Sequence, residues 1–425
     1  MDGAGSRNKT AGGGRVLVIL LLAYIFNFID RNILGVLSIP IKAELGLSDT
    51  QMGLMGGIAF ALFYSGLAIP IAWLADRRSR VNIIAGSVAL WSLFTAACGF
   101  AQNFWQLFLA RMGVGIGEAG GVAPSYALVS DYFPREKRAR ALAFFSLGIP
   151  IGSALGVFFG GWIASHLDWR SAFLIVGLAG LPAALLVKFG IEEPVRGGHD
   201  SADGAPSDPA PPFLQVARTL AKTPSFWLLS FGAASGSILG YGLIFWLPSF
   251  FSRSFHLTLT EVGWFYGSII LVGGGAGTLL GGWLGDRVGP ANPGAYARVP
   301  AICFVIAAPC FALGLFAPSL WLGWLLFALG QMLALAWLGP VIAAVQHIVP
   351  PNMRATASAS FLFINNLIGI GFGIFFLGFM SDAMTAAHGP DALKYSILYG
   401  LVFYLLSAAI YFVASKRLAR DWTAA

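Results

Sequence analysis

The chain has 425 residues, 57% of them hydrophobic and only 11% charged, with a mean hydropathy of +0.76. A soluble domain carries about 25% charge, so the composition excludes an ordinary soluble enzyme, a nucleic-acid binder and a disordered chain. The net charge of +7 is read as membrane topology. Three scattered cysteines and five separated histidines offer neither a disulfide framework nor a metal site.

Residues 1–15 are polar and glycine-rich and are expected to form a disordered tail before an uncleaved first helix. Apolar segments long enough to cross a bilayer follow at roughly 16–40, 52–75, 81–101, 105–132, 140–165 and 169–191. Residues 192–222 are a linker. Its stretch 197–212 has Pro, Gly, Asp and Ser and almost nothing to bury. Beyond it Phe213, Val216, Ala217 and Leu220 repeat at helical spacing opposite Arg218 and Lys222, which predicts a short amphipathic helix on the inner membrane face. Six more spans follow at 224–252, 261–285, 298–317, 320–348, 356–381 and 394–415, then a tail over 419–425. The fold class expected is an all-α membrane protein of twelve helices in two halves, 16–191 and 223–418.

The basic residues give the orientation. With the N terminus in the cytoplasm, twenty of the 26 Lys and Arg fall on cytoplasmic segments and four (Lys42, Arg170, Arg253, Lys394) on the outer side. Arg31 and Arg111 lie within spans. That bias places both termini inside.

The halves repeat one another. Ala72-Trp-Leu-Ala-Asp-Arg-Arg-Ser-Arg80 ends span two, and Gly282-Trp-Leu-Gly-Asp-Arg-Val-Gly-Pro290 ends span eight, with Asp76 and Asp286 210 residues apart. The segments 134–141 and 350–357, and the prolines Pro124 and Pro340, share an offset of 216. Pro124 and Pro340 are expected to kink spans four and ten. Two six-helix repeats describe a transporter with its site near the midplane.

The paired Asp-Arg segments resemble the loop motif of the major facilitator superfamily, and through the repeat that resemblance covers the whole chain. Ser79 stands where the family has a loop glycine, and Pro290 where it has a basic residue. The resemblance implies a gate at Asp76, Arg77, Arg80, Asp286 and Arg287, with the first copy the better preserved. Asn27-Phe-Ile-Asp-Arg31, the segment Leu109 to Ala119 with Pro124, Ser130-Asp-Tyr-Phe133 and Ile149 to Gly156 are similar to the Spinster-type transporters. That likeness implies a lysophospholipid or a sphingosine 1-phosphate-like substrate and proton coupling.

Asp30, Arg31, Arg111 and Glu118 lie deep in the predicted bilayer, where each charge costs about 2.5–3.5 kcal/mol without a partner or water. Arg111 and Glu118 are two turns apart on one face of span four. Asp30 and Arg31 diverge by roughly 100°, so pairing between spans one and four is expected. Two readings stay open. The quartet is a structural ion-pair network, or Asp30 and Glu118 carry protons while Arg31 or Arg111 serves as counter-ion or headgroup ligand. The second half has no deep charge. Phe245, Trp246, Trp337, Phe361 and Asn365 are its candidates for a cavity wall, against the simpler reading as packing residues. Gly152, Gly156 and Gly160 recur every four residues in span five and offer a close-packing face.

The expected protein is a monomeric secondary transporter of the inner membrane, in contact with protons, an amphiphilic substrate and membrane lipids. It needs no cofactor. The alternatives are a proton-coupled multidrug antiporter, a small organic-anion symporter and a non-transporting sensor. The residues show no HExxH, Cys/His cluster or GxSxG for an intramembrane enzyme.

Overall fold

The computed structural model describes residues 12–75, 77–194, 212–288, 292–350 and 353–422. Residues 1–11 of the expected tail over 1–15, most of the 197–212 stretch and Asp76 lie outside them. The described residues are helical throughout and form no strands, because in hydrocarbon each backbone N–H and C=O must bond within its own segment.

Twelve spans cross. Ten helical stretches are long and apolar enough by themselves among the described residues. One of these, Thr356–Asp421, holds two spans separated by the 3-10 turn Gly389–Asp391. The twelfth is span four, which falls short as a single helix because it is broken into Phe104–Glu118 and Val122–Tyr132. Span ten is interrupted more briefly, at Ala336 and Trp337 between Leu320–Leu335 and Leu338–His347, and stays among the ten. Val122 and Leu338 are 216 residues apart, as are the side-chain N-caps of the two spans, Asn103 and Ser319. Pro124 and Pro340 each sit third in the second segment. Neither has an N–H to donate four residues back, so each break is built in by its proline. The structure therefore has breaks where the sequence predicts kinks.

Spans two and eight each contain a π turn, Leu54–Ile58 and Ile270–Gly274. Span five starts earlier than its hydropathy suggests, with the helix Arg135–Ser146 preceding Gly148–His166. Span eleven runs Arg354–His388, beyond its apolar stretch. The segment Phe213–Ala221 is helical and buries Val216 and Leu220.

Packing divides the chain into two compact units that do not follow the repeat at every point. One comprises residues up to Leu47, those from Ala59 to the linker, and Thr258–Gly267. The other comprises Ser48–Ile58, the linker's end to Leu257, and the chain from Ser268. In the first unit span five lies against span one through its glycine face. A Cβ on Gly152 would stand 2.5 Å from the Ile25 carbonyl oxygen, and one on Gly156 2.7 Å from that of Ile29. The backbones approach closely because nothing separates them.

Candidate functional site

Span one, Gly13–Val36, places Asp30 and Arg31 on different faces, and the first segment of span four places Arg111 and Glu118 on one. The four side chains meet in the first unit and pair crosswise. Arg111 Nη1 donates to Asp30 Oδ1 at 3.2 Å, and Arg31 Nε donates to Glu118 Oε2 at 2.6 Å. Asp30, Arg111 and Glu118 are buried, and the Arg31 side chain is 14% exposed.

Other residues complete the site. Thr95 of span three donates its hydroxyl to Asp30 Oδ2. The Arg31 guanidinium lies 4.4 Å from the Tyr64 ring centroid and 5.1 Å from those of Phe28 and Phe60. Arg111 approaches Phe60 at 5.9 Å, so one ring on span two serves both cations. Asn27, one turn before Asp30 and Arg31, lies beside the Glu118 carboxylate. Two acids and two bases sum to zero. Neutralising either acid would leave a buried guanidinium in need of another anion.

Thr95, Phe60 and Tyr64 were not legible as site residues. A single threonine or aromatic in an apolar span looks like packing, and only the rotation of spans two and three aims these at the ions.

In the second unit the residues singled out for a cavity wall are all buried. Trp246 is wholly enclosed and donates its indole N–H to the Ile374 carbonyl at 2.9 Å. Phe245 lies over Gly56. Trp337, at the break of span ten, meets Phe361 at 6.3 Å between ring centroids. Asn365 accepts from Ser237 at 2.8 Å and donates to Asn366, which also accepts from Tyr241. Among the described residues of spans seven to twelve no charged side chain is buried.

A second ionic cluster in this unit was not anticipated. Asp49, at the start of span two, accepts from Arg253 and from Ser381 at 2.7 Å. Asp382 caps the same helix start, accepting from the backbone N–H of Asp49 at 3.0 Å and of Thr50 at 2.7 Å.

At the motif-bearing end, Arg80 is buried. It forms ion pairs with Asp131 at 2.6 Å and Glu193 at 3.1 Å. Glu193 also accepts from Ser79 and from the Val81 N–H. Burial works against its charge, yet those donors together hold its carboxyl below the usual value. Arg77 is exposed and stacks on Trp73 at 3.8 Å, and Arg287 repeats this on Trp283 at 5.2 Å. Asp76 lies outside the described residues, as does the side chain of Asp286.

Residues 20–374 match the model of the Major Facilitator Superfamily. The chain belongs to the major facilitator superfamily. It is 34% identical to an "MFS-type efflux pump" of Mycolicibacterium smegmatis, over 99% of this chain and 96% of that one. It is 31% identical to protein spinster homolog 1 of Xenopus tropicalis, over 89% and 75%. Among solved structures it is similar to a bacterial homologue of the human lysosomal transporter Spinster in an inward-facing, unoccupied conformation. That match has a TM-score of 0.88 and 32% identity, covering 97% of this chain and 99% of that one. The occupied form of that homologue gives a TM-score of 0.83. This superfamily member is thus an integral membrane transporter of the Spinster-like kind, and not an enzyme.

Proposed function

We propose that this transporter moves an amphiphilic lipid, a lysophospholipid or a sphingosine 1-phosphate-like molecule, by proton-coupled alternating access. The crossed quartet carries the reading. Protonating Glu118 or Asp30 removes the partner of Arg31 or Arg111, and the released guanidinium takes a phosphate headgroup in its place. Proton and headgroup then depend on one another through a shared arginine. A second half without buried charge suits an acyl tail, with Phe245, Trp246, Trp337, Phe361 and Asn365 on its helices. One proton moving through 100 mV supplies about 2.3 kcal/mol.

Arg80, with Asp76 and Arg77, gates the motif-bearing end, and Asp286 and Arg287 form the weaker second copy. The charge bias supports an inner-membrane protein with both termini in the cytoplasm, and the protein is taken to work as a monomer.

The mycobacterial relative is named an efflux pump, which favours outward transport as a second reading; we take this reading as a proton-coupled multidrug antiporter that moves cationic drugs. Transport of labelled sphingosine 1-phosphate or lysophospholipid in proteoliposomes, with and without a pH gradient, separates the two. Gradient-driven lipid movement, lost in Glu118→Gln and Asp30→Asn, is expected. Lipid transport indifferent to the gradient and kept by both variants makes the quartet structural. Gradient-driven movement of a cationic dye and none of lipid would select efflux.

A further inference from the structure

Beside the quartet, still within the first unit, a small cavity opens where span four breaks. Its wall is mainly apolar, with Leu20, Ala23, Ile84, Val122 and Phe145, and its polar groups come from Tyr24 and Asn27 of span one, Trp91 of span three and Ser125 of span four, beside Gly121. Its volume of about 10 Å³ is the room one water needs. The break creates it, because Gly121 has no side chain there. A Cβ at that position would press to 3.2 Å on the Trp91 ring.

Of the polar groups around this space, Ser125 donates its hydroxyl to the Gly121 carbonyl at 2.6 Å, which leaves its oxygen able to accept, while Asn27 is under-satisfied. Asn27 is 2% exposed, and neither its amide nitrogen nor its oxygen makes a well-formed hydrogen bond to protein. The same is true of Glu118 Oε1. An unpaired buried amide is costly, and a native protein normally meets that cost with a water. An apolar cavity of this size would stay dry. One lined by an amide and a hydroxyl, with a carboxylate beside the amide, gives a water the two to four partners it requires.

The polar groups continue beyond the cavity. Tyr24 lies on its wall, and Tyr126 is within hydrogen-bond reach of both Tyr24 and Ser146. Tyr126 and Ser146 are only half-buried. Tyr24 precedes Asn27 by about one turn, and span four continues from Tyr126 to Tyr132, so the line runs from Glu118 toward the end that bears the Asp76 motif. The charges facing Glu118 are Arg31 and Arg111, with Asp30 beyond, and none of them lies on this line.

We propose that Asn27 seats a water beside Glu118 and that this water, with the hydroxyls of Tyr24, Tyr126 and Ser146, is the route by which Glu118 exchanges its proton with the motif-bearing side. The Asn27 amide offers both donor and acceptor and orients the water without itself titrating. Glu118 gives its proton to the water, each hydroxyl accepts one proton and passes on another, and the last leaves to solvent. The return of a proton to Glu118 follows the same steps in reverse. Asn27 is thus a positioning residue, and the assignment rests on the proton-carrying role given to Glu118 above.

The test uses the full chain in proteoliposomes. After a pH jump, infrared difference spectra follow the carboxylic C=O band that Glu118→Gln lacks. In Asn27→Leu and in the shape-conserving Tyr126→Phe, that band should change at least about tenfold more slowly than in wild type. Asn27→Ser, which leaves a hydroxyl and room for a second water, should recover part of the rate. With equal pH on both sides, Tyr126→Phe should exchange labelled lysophospholipid at the wild-type rate, while accumulation driven by a pH gradient falls. Unchanged band kinetics in Asn27→Leu and Tyr126→Phe overturn the relay. So does an equal loss of exchange and accumulation in Tyr126→Phe, which would make the tyrosine a structural residue. Slowed band kinetics in a protein that moves no labelled lipid keep the relay and remove the lipid reading. A wild-type protein without a Glu118 band removes the proton-carrying role and the relay together.

Discussion

Arg253 grips Asp49 through both guanidinium nitrogens, each 2.8 Å from a carboxylate oxygen. The two residues are 204 positions apart, on spans seven and two. Asp49 is almost fully enclosed, while Arg253 keeps a quarter of its side chain exposed. Such a pair adds little over an apolar substitute, but losing one member strands the other. Asp49→Ala should therefore destabilise the protein by about 3 kcal/mol. Arg253→Met should cost a similar amount, and the double variant clearly less than the sum. A thermal-unfolding double-mutant cycle in detergent checks this, and strictly additive losses would show that the pair is not coupled.

Thr95 gives Asp30 its only neutral donor among the described side chains. Thr95→Val keeps the shape and removes the hydroxyl, leaving a buried carboxylate short of one bond. A loss of about 1–3 kcal/mol is expected, with Thr95→Ser close to wild type. Equal unfolding temperatures for the valine and serine variants would count against this bond.

Span five offers a steric test. Gly156 faces the Ile29 carbonyl oxygen and the backbone around it, whereas the nearest atom to a Cβ on Gly160 is a methyl of Val36. Backbone cannot yield as a side chain can. Gly156→Ala should cost about 1–3 kcal/mol and Gly160→Ala less. The order of the two unfolding temperatures is the measurement, and a reversed order would refute the packing argument.

The Arg80 clamp carries a pH dependence. The carboxyl of Glu193 is held below its usual value of 4.5 by the Val81 N–H, Ser79 and Arg80. A carboxylate with a depressed value contributes stability that is complete above its unfolded value and lost as pH falls through the folded one. Wild type should therefore exceed Glu193→Gln in unfolding temperature by a constant margin at neutral pH. The margin should close as the medium is acidified past the ordinary glutamate range. A margin independent of pH down to strong acid would assign the clamp to shape rather than charge.

Much of the fold was legible in the sequence because lipid is a strict solvent. It demands long apolar helices, and few other segments of this chain meet that demand. The exceptions have local causes. Span four was legible as one stretch over 105–132, but its interruption at Ala119, Gly120 and Gly121 before Pro124 was read only as a kink. Span eleven outruns its hydropathy because its last turns, 382–388, carry Asp382, Thr385 and His388 among alanines yet continue the helix. The repeat was legible as two offsets, 210 and 216. The structure adds an N-cap pair and a helix-restart pair at 216, and the Arg-on-Trp stacks at 210, none of which hydropathy reports.

The candidate site was legible in part. Four charges in two apolar spans are conspicuous because each is expensive there, and their spacing already favoured pairing between helices. Thr95, Phe60 and Tyr64 carried no comparable cost and gave no signal, and Asn27 stood out only as the first residue of the Spinster-like segment. Asp49, Asp382 and Glu193 sit near helix ends, where an acid is ordinary.

By itself the sequence determined the number of spans, the two-fold repeat and the depth of each charge along its own helix, since these follow from composition and period within one segment. Tertiary structure alone decided that Arg111 meets Asp30 and Arg31 meets Glu118, that Asp49 belongs with Arg253 and Ser381, and that a break in span four leaves a polar cavity beside Glu118. Periodicity fixes where a side chain lies on its own helix. How that helix is rotated against its neighbours depends on the fit of glycine faces and ring edges contributed by other parts of the chain.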